Sequence, residues 1–232
     1  MRKLTQRNGR RVSKGVGWTE SGRRVSTDAE RTEYGRPVGT DADTAAVGPG
    51  SPAAPDRRRE VTWEDPGVGA ALAQQMSGLD FLRGIAEGRI PAPPIVKLLG
   101  LGIVGVEPGR VTFSLDVGEH LYNPIGSVHG GVFCTLLDSA MACAVHSKLG
   151  PGQAYTTLEL KVNLVKPLTV DTPRVVATGQ VISSGRRVAT ASGQITGPDG
   201  TLYAHATTTC LVIETRQAPA NGPARDGNGD GR

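Results

Sequence analysis

Apolar positions in this chain follow two periods, separated by stretches that hold almost none. From Val132, the residues Phe133, Leu136, Leu137, Ala140, Met141, Ala144 and Val145 recur at intervals of three and four, the spacing that draws one stripe along an α-helix. This predicts a core helix opening at His129-Gly130-Gly131 and running to about Val145. Downstream the period becomes two. Leu158, Leu160, Val162 and Leu164 alternate with Thr157, Glu159, Lys161 and Asn163, so the two sets are expected on opposite faces of a strand. Further strands are predicted over 174–182, 187–196 and 202–213, set apart by Ser-Ser-Gly and Gly-Pro-Asp-Gly turns.

Upstream, Val111, Phe113, Leu115 and Val117 alternate after the turn Glu107-Pro108-Gly109 and pair with a first arm over Gly100–Gly105. That arm fits the dinucleotide spacing G-x-G-x-x-G. A nucleotide-binding unit needs a strand before this motif and a helix after it, however, and here Pro93-Pro94 precede it and a turn follows. Residues 78–88 predict a short amphipathic helix, with Ser77 as N-cap, Gly88 as stop, and either a lid or a packing role. Pro91, Pro93 and Pro94 are expected to keep the chain irregular until the core begins, and Val61–Asp65 reads as an extended lead-in. One long apolar helix among five or six strands, with no β-α-β alternation, predicts an α+β fold: a curved antiparallel sheet wrapped around a central helix.

Composition limits how much of the chain belongs to that fold. Residues 1–60 hold one leucine and no isoleucine or phenylalanine, too little apolar surface to offset chain entropy. They are expected to be a disordered basic extension, with 61–97 a lead-in containing the short helix, 98–214 the folded domain, and 215–232 a disordered tail. The formal net charge of +4 does not point to nucleic acid. Residues 1–60 carry 13 Lys and Arg against 8 Asp and Glu, whereas 61–214 carry 10 against 12, so the basic excess lies outside the domain. No apolar run is long enough for a membrane span, and the amino terminus has no apolar segment to serve as a signal, which together predict a cytoplasmic protein. Cys134, Cys143 and Cys210 are odd in number and lie in apolar segments, and His120, His129, His146 and His205 have no metal-ligand spacing. Reduced buried thiols and no metal are expected.

Within the apolar helix Asp138 stands at the edge of the stripe, about 100° per residue around the axis, beside Gly131, Cys134 and Ala142. At the helix start, amides without intrahelical partners and the positive end of the dipole favour an oxyanion, and glycines at 130 and 131 permit close approach. Two readings are open. One is an oxyanion hole at Gly130 and Gly131 with Asp138 as base or nucleophile; the other is a glycine turn with an acid paired to a neighbour. A serine triad is not indicated, because Ser127 and His129 lack the G-x-S-x-G elbow.

Asn123, then His129-Gly130-Gly131 six residues on, then Asp138 nine residues after the histidine, followed by Thr156–Pro167 as TTLELKVNLVKP, resemble the signature of PaaI-like hotdog-fold acyl-CoA thioesterases. The resemblance spans roughly Val61 to Glu214, and the part upstream of about Leu98 is similar to a subset of the family only. It implies the hotdog fold, hydrolysis of an acyl- or aryl-acyl-CoA, no cofactor beyond the coenzyme A of the substrate, and a homodimer or homotetramer; the charge distribution and the short apolar runs add the expectation of no specific nucleic-acid and no membrane partner. By the same resemblance Asp138 is the catalytic carboxylate, Gly130 the carbonyl-polarising amide, and Asn123 and His129 positioning groups. Thr157, counted back from Pro167, falls where relatives carry a hydroxyl near the attacking water. Arg186 and Arg187 stand at a turn near the nucleotide end of coenzyme A in relatives, where a guanidinium can grip phosphate. His129 and Asp138 lie about 13 Å apart along a helix, so the shared carbon they must reach implies active sites divided between subunits. Phe133, Leu136, Met141 and Leu101 are candidates to line an acyl pocket. A hotdog-fold enoyl-thioester hydratase and a non-catalytic acyl-CoA sensor are the alternative functions.

Overall fold

The computed structural model of the chain describes residues 57–215. The disordered extension expected over 1–60 thus lies, apart from its last four residues, outside the described residues, as does the tail expected over 215–232 apart from Thr215. The chain divides between Arg57 and Arg58, and every element below belongs to the second unit.

Three short helices precede the sheet where one was expected. The first, α1 (Pro66–Gln75), begins as local chemistry dictates: Asp65 Oδ1 accepts from the Gly67 amide at 2.8 Å and Pro66 fills N1, where its missing N–H has no helical partner to lose. None of its residues is buried, so no apolar stripe marked it. The expected helix is α2 (Gly78–Ala86), capped by Ser77, whose hydroxyl accepts from the Asp80 amide at 3.1 Å. It is a packing element, since a Cβ at Gly78 would lie 1.9 Å from the His146 carbonyl oxygen. The third, α3 (Pro94–Leu99), corrects the expectation that the prolines keep this stretch irregular. A ring that breaks a helix interior is pre-set for its first turn, and Pro94 starts the helix that Gly100 ends at φ 72°.

The strands are β1 (Leu101–Glu107), β2 (Arg110–Leu115), β3 (Gln153–Leu164), β4 (Val175–Ser184), β5 (Val188–Thr196) and β6 (Leu202–Glu214), with α4 (Gly130–His146) between β2 and β3. They form one antiparallel sheet in the order β1-β2-β4-β5-β6-β3, and α4 touches all six. Leu136, Leu137, Ala140, Met141, Ala144 and Val145 are fully enclosed between them. Two paired glycines set how close the helix lies. Gly179 of β4 and Gly193 of β5 are register partners; a Cβ at Gly179 would sit 2.3 Å from the Ala140 carbonyl oxygen, and one at Gly193 would sit 2.8 Å from Met141 Cγ.

One strand departs from simple alternation. In the β3–β6 ladder Thr157 pairs with Cys210 and Glu159 with Thr209, leaving Leu158 as an extra residue, a β-bulge. Because side-chain direction alternates residue by residue, one inserted residue reverses everything before it relative to everything after. The expectation that Thr157 faces away from Leu160 and Val162 is therefore overturned: Tyr155, Leu160 and Val162 pack against the core, and Thr157 reaches α4 on the same side. Leu158 itself is left 59% exposed. As the outer strand of this sheet, β3 pairs only with β6.

Candidate active site

Asp138 sits half-buried in the middle of α4, and its Oδ1 accepts a hydrogen bond from Thr157 Oγ1 at 2.9 Å. The bulge is what brings that hydroxyl across. Tyr155, Cys143 and Cys210 surround the pair closely enough to feel the Asp138 charge. Burial, with the Asp138 charge adding to it, pushes the Cys143 thiol up to about 12 and holds Tyr155 well above the usual phenol range. Burial likewise raises Cys210, the register partner of Thr157. All three stay neutral at pH 7. Behind Tyr155, whose ring centroid lies 5.1 Å from that of His146, burial lowers the imidazole to about 4. Asp138 is thus a carboxylate among neutral groups, the setting in which a negative charge acts strongly on whatever binds beside it.

The loop before α4 uses its polar side chains on its own backbone. Asn123 Oδ1 accepts from the Ile125 amide at 3.0 Å and the Ser127 amide at 3.2 Å, while its Nδ2 donates to Ser127 Oγ at 3.2 Å. His129 is the N-cap, with Nδ1 accepting from the Gly131 amide at 2.9 Å. Of the two amides expected to face an oxyanion, Gly131 is therefore engaged by the cap. The Gly130 N–H has no partner among the described residues, and a Cβ there would lie 3.3 Å from Leu164 Cδ1. Asn123 thus shapes the loop and His129 ends it on the helix. Gly130 and Asp138 are eight residues apart on one helix, about 12 Å, so within one chain they do not converge.

Arg186 and Arg187 lie exposed in the β4–β5 hairpin. Arg187 leads into the row Ala189, Cys210, Thr157 across three neighbouring strands, which puts it roughly 12 Å from Thr157 by strand spacing. The four candidates for an acyl pocket are core residues instead: Leu136 and Met141 are 0% exposed, Phe133 3% and Leu101 7%. Tyr155 and Thr208, which carried no expectation, and Cys210, expected only as a buried thiol, also stand near the pair. The run Thr207-Thr208-Thr209-Cys210 was the available signal, since a buried strand seldom places hydroxyls on its core face without a partner for them. Among the described residues no group of three or more His, Cys, Asp or Glu stands together, and no helix is long and apolar enough to cross a membrane.

Residues 125–204, from the loop through α4 into β6, match the family described as the thioesterase superfamily. This stretch of the chain is a thioesterase-superfamily domain. The chain's six-stranded antiparallel sheet around a long helix is the hotdog fold that the resemblance implied. Among similar proteins, 1,4-dihydroxy-2-naphthoyl-CoA hydrolase of Listeria monocytogenes is 31% identical over 67 residues, 29% of this chain and 54% of that protein, so the chain spans about half the length of that relative. Acyl-coenzyme A thioesterase 13 of Homo sapiens is 28% identical over 118 residues, covering 50% of this chain and 81% of that protein. The PaaI protein of Escherichia coli superposes with a TM-score of 0.51 over 60% of this chain and 96% of its own, at 21% identity, a likeness of fold.

Proposed function

We propose that this thioesterase-superfamily chain hydrolyses the thioester of an acyl- or aryl-acyl-CoA to the free acid and coenzyme A, at sites shared between two copies. The observation that carries this reading is the Thr157–Asp138 hydrogen bond in a cluster of neutral groups. It orients one carboxylate oxygen and leaves Oδ2 to remove a proton from water or to attack the thioester carbon. Both the general-base and the anhydride route use the ionised form. The Thr157 proton is engaged by Asp138, so the threonine oxygen accepts from the attacking water. The Gly130 amide, at the positive end of α4, donates to the thioester oxygen as charge develops there.

Because Gly130 and Asp138 stand about 12 Å apart along α4, the reading requires Gly130 of one copy beside Asp138 of another. The free edge of β3 suits this. A two-fold axis at that edge would extend the sheet and set two α4 helices side by side in opposite directions. The exposed Leu158 and Leu164 on that strand would gain cover there. Arg186 and Arg187 would meet the nucleotide phosphates, and a cytoplasmic location is part of the same proposal.

The names of the Listeria and human relatives set the substrates to try. Purified protein, offered aryl-, short-, medium- and long-chain acyl-CoAs, is expected to release free thiol from at least one. Release from none would sink the proposal. Hydration of a 2-enoyl-CoA without thiol release would instead give the hydratase, and binding without turnover the sensor. Asp138 argues against the sensor, since a half-buried charge is a burden to a site that only binds.

A further inference from the structure

Opposite the bulge, β6 carries Thr208 and Cys210 on its core face, 2% and 0% exposed. Valine has the shape of threonine and suits a buried strand better, so a hydroxyl here needs a partner that accounts for it. Thr208 Oγ1 donates to the Glu159 carbonyl at 2.7 Å. Glu159 is the residue at which the ladder resumes after the extra Leu158. Cys210, two residues on along β6, is the register partner of Thr157. Each hydroxyl has one proton, and both are engaged: Thr157 on Asp138, Thr208 on Glu159.

We propose that Thr208 is a positioning residue for the thioesterase reaction: by holding the Glu159 carbonyl it fixes the bulge at Leu158 and so keeps the Thr157 hydroxyl turned toward Asp138. This rests on the reading of Asp138 and Thr157 as the reacting pair. Without the bulge the alternation of β3 would carry Thr157 to the outer face of the sheet, and Asp138 would lose the hydrogen bond that orients it. Acyl-CoA binding would change little, because Thr208 is sealed from the surface.

The test compares Thr208→Val, which keeps the shape and removes the hydroxyl, with Thr208→Ser, which keeps the hydroxyl. Thiol release from octanoyl-CoA and benzoyl-CoA is assayed, and amide exchange over residues 157–160 is followed on the same preparations. Thr208→Val is expected to lower kcat by about tenfold with KM within about twofold, and Thr208→Ser to recover most of it. Exchange over 157–160 should quicken by about tenfold in the valine variant alone. In a Thr157→Val background the further change to Thr208→Val should alter kcat by less than about twofold, since the hydroxyl it positions is already gone. Unchanged kcat and exchange in folded Thr208→Val, or a full further loss in the Thr157→Val background, would overturn the proposal. Should the valine variant not fold, Thr208→Ala takes its place with the same expectations. A wild type inactive on every thioester would sink the reading of the site instead, and the exchange measurement would still decide whether Thr208 holds the bulge.

Discussion

Thr157 and Asp138 are nineteen residues apart in sequence and come from a strand and a helix, yet the hydroxyl of one donates to the carboxylate of the other at 2.9 Å. Each is half-buried, so the pair is shielded enough to have a fixed geometry and open enough for water or a thioester to reach it. A single contact thereby joins the one acid of an apolar helix to the one irregularity of β3.

Removing the charge while keeping the shape tests that contact most directly. Asp138→Asn retains an oxygen to accept from Thr157, so the thermal midpoint should move little. Turnover should fall by about 10²- to 10⁴-fold, the range for losing a general base. If the acid is instead only structural, the variant loses stability and its folded fraction stays active. Near-wild-type kcat in well-folded Asp138→Asn would remove Asp138 from the mechanism.

Thr157→Val should lower kcat by about tenfold while leaving affinity for acyl-CoA near wild type, and Thr157→Ser should restore most of the rate. A valine variant as active as wild type would show that the hydroxyl does not orient the carboxylate during turnover.

How far the sequence reached follows from which forces leave a pattern. The stripe of α4, the hairpin turns and the strand alternation all arise from burial, which repeats with a period, and apart from the start of β3, which begins at Gln153, they were legible to within one or two residues: the helix expected to about Val145 ends at His146, and the strand expected over 187–196 spans Val188–Thr196. The bulge at Leu158 breaks a period instead of making one, so alternation alone assigned Thr157 to the wrong face. Likewise α1 buries nothing and is held by a cap and a proline, signals too short to stand out. In the site, Asp138 was legible because an acid at the edge of an apolar stripe is unusual. The engagement of the Gly131 amide by His129 was not, because His129 could equally have turned toward a ligand.

Gly179→Ala should destabilise the fold. The added Cβ would meet the Ala140 carbonyl at 2.3 Å and its carbon at 2.4 Å, and both belong to helix backbone that cannot rotate aside. Forcing α4 off the sheet is expected to cost roughly 3 kcal/mol and to lower the thermal midpoint by about 5–10 °C. Gly105→Ala, where the nearest atom lies 3.5 Å away, is the control and should change little. Equal midpoints for the two variants would mean that helix-to-sheet spacing is not set at Gly179.

Acid should weaken the α2–α4 junction through His146. Burial lowers this imidazole from 6.5 to about 4 in the fold, where it packs against Phe81 and Tyr155 at ring-centroid distances of 5.5 and 5.1 Å. Between those two values the unfolded chain binds the proton and the folded chain does not, so stability falls as pH drops from about 6.5 toward 4, by up to roughly 3 kcal/mol. Urea midpoints measured from pH 7 to 4.5 should therefore decline more steeply for wild type than for His146→Leu. Parallel declines would assign the acid sensitivity to other groups.

Whether the site is shared can be decided by removing its two halves in separate chains. Gly130 is the first residue of α4 and follows His129 at φ −60°, ψ 136°, a conformation favoured before proline, and N1 is the helical position where proline is most at home. Gly130→Pro should therefore fold and keep α4 while deleting the one amide proposed to hold the thioester oxygen, with kcat down by about 10²-fold or more. Asp138→Asn should be inactive for the opposite reason. When the two are unfolded and refolded together, a heterodimer has one site that lacks both groups and one that has both. Random pairing at equal amounts should then restore about a quarter of the wild-type activity, and purified heterodimer about half. A site built within a single chain predicts no recovery at any mixing ratio, and that outcome, or full activity in a stable monomer, would rule out the shared arrangement.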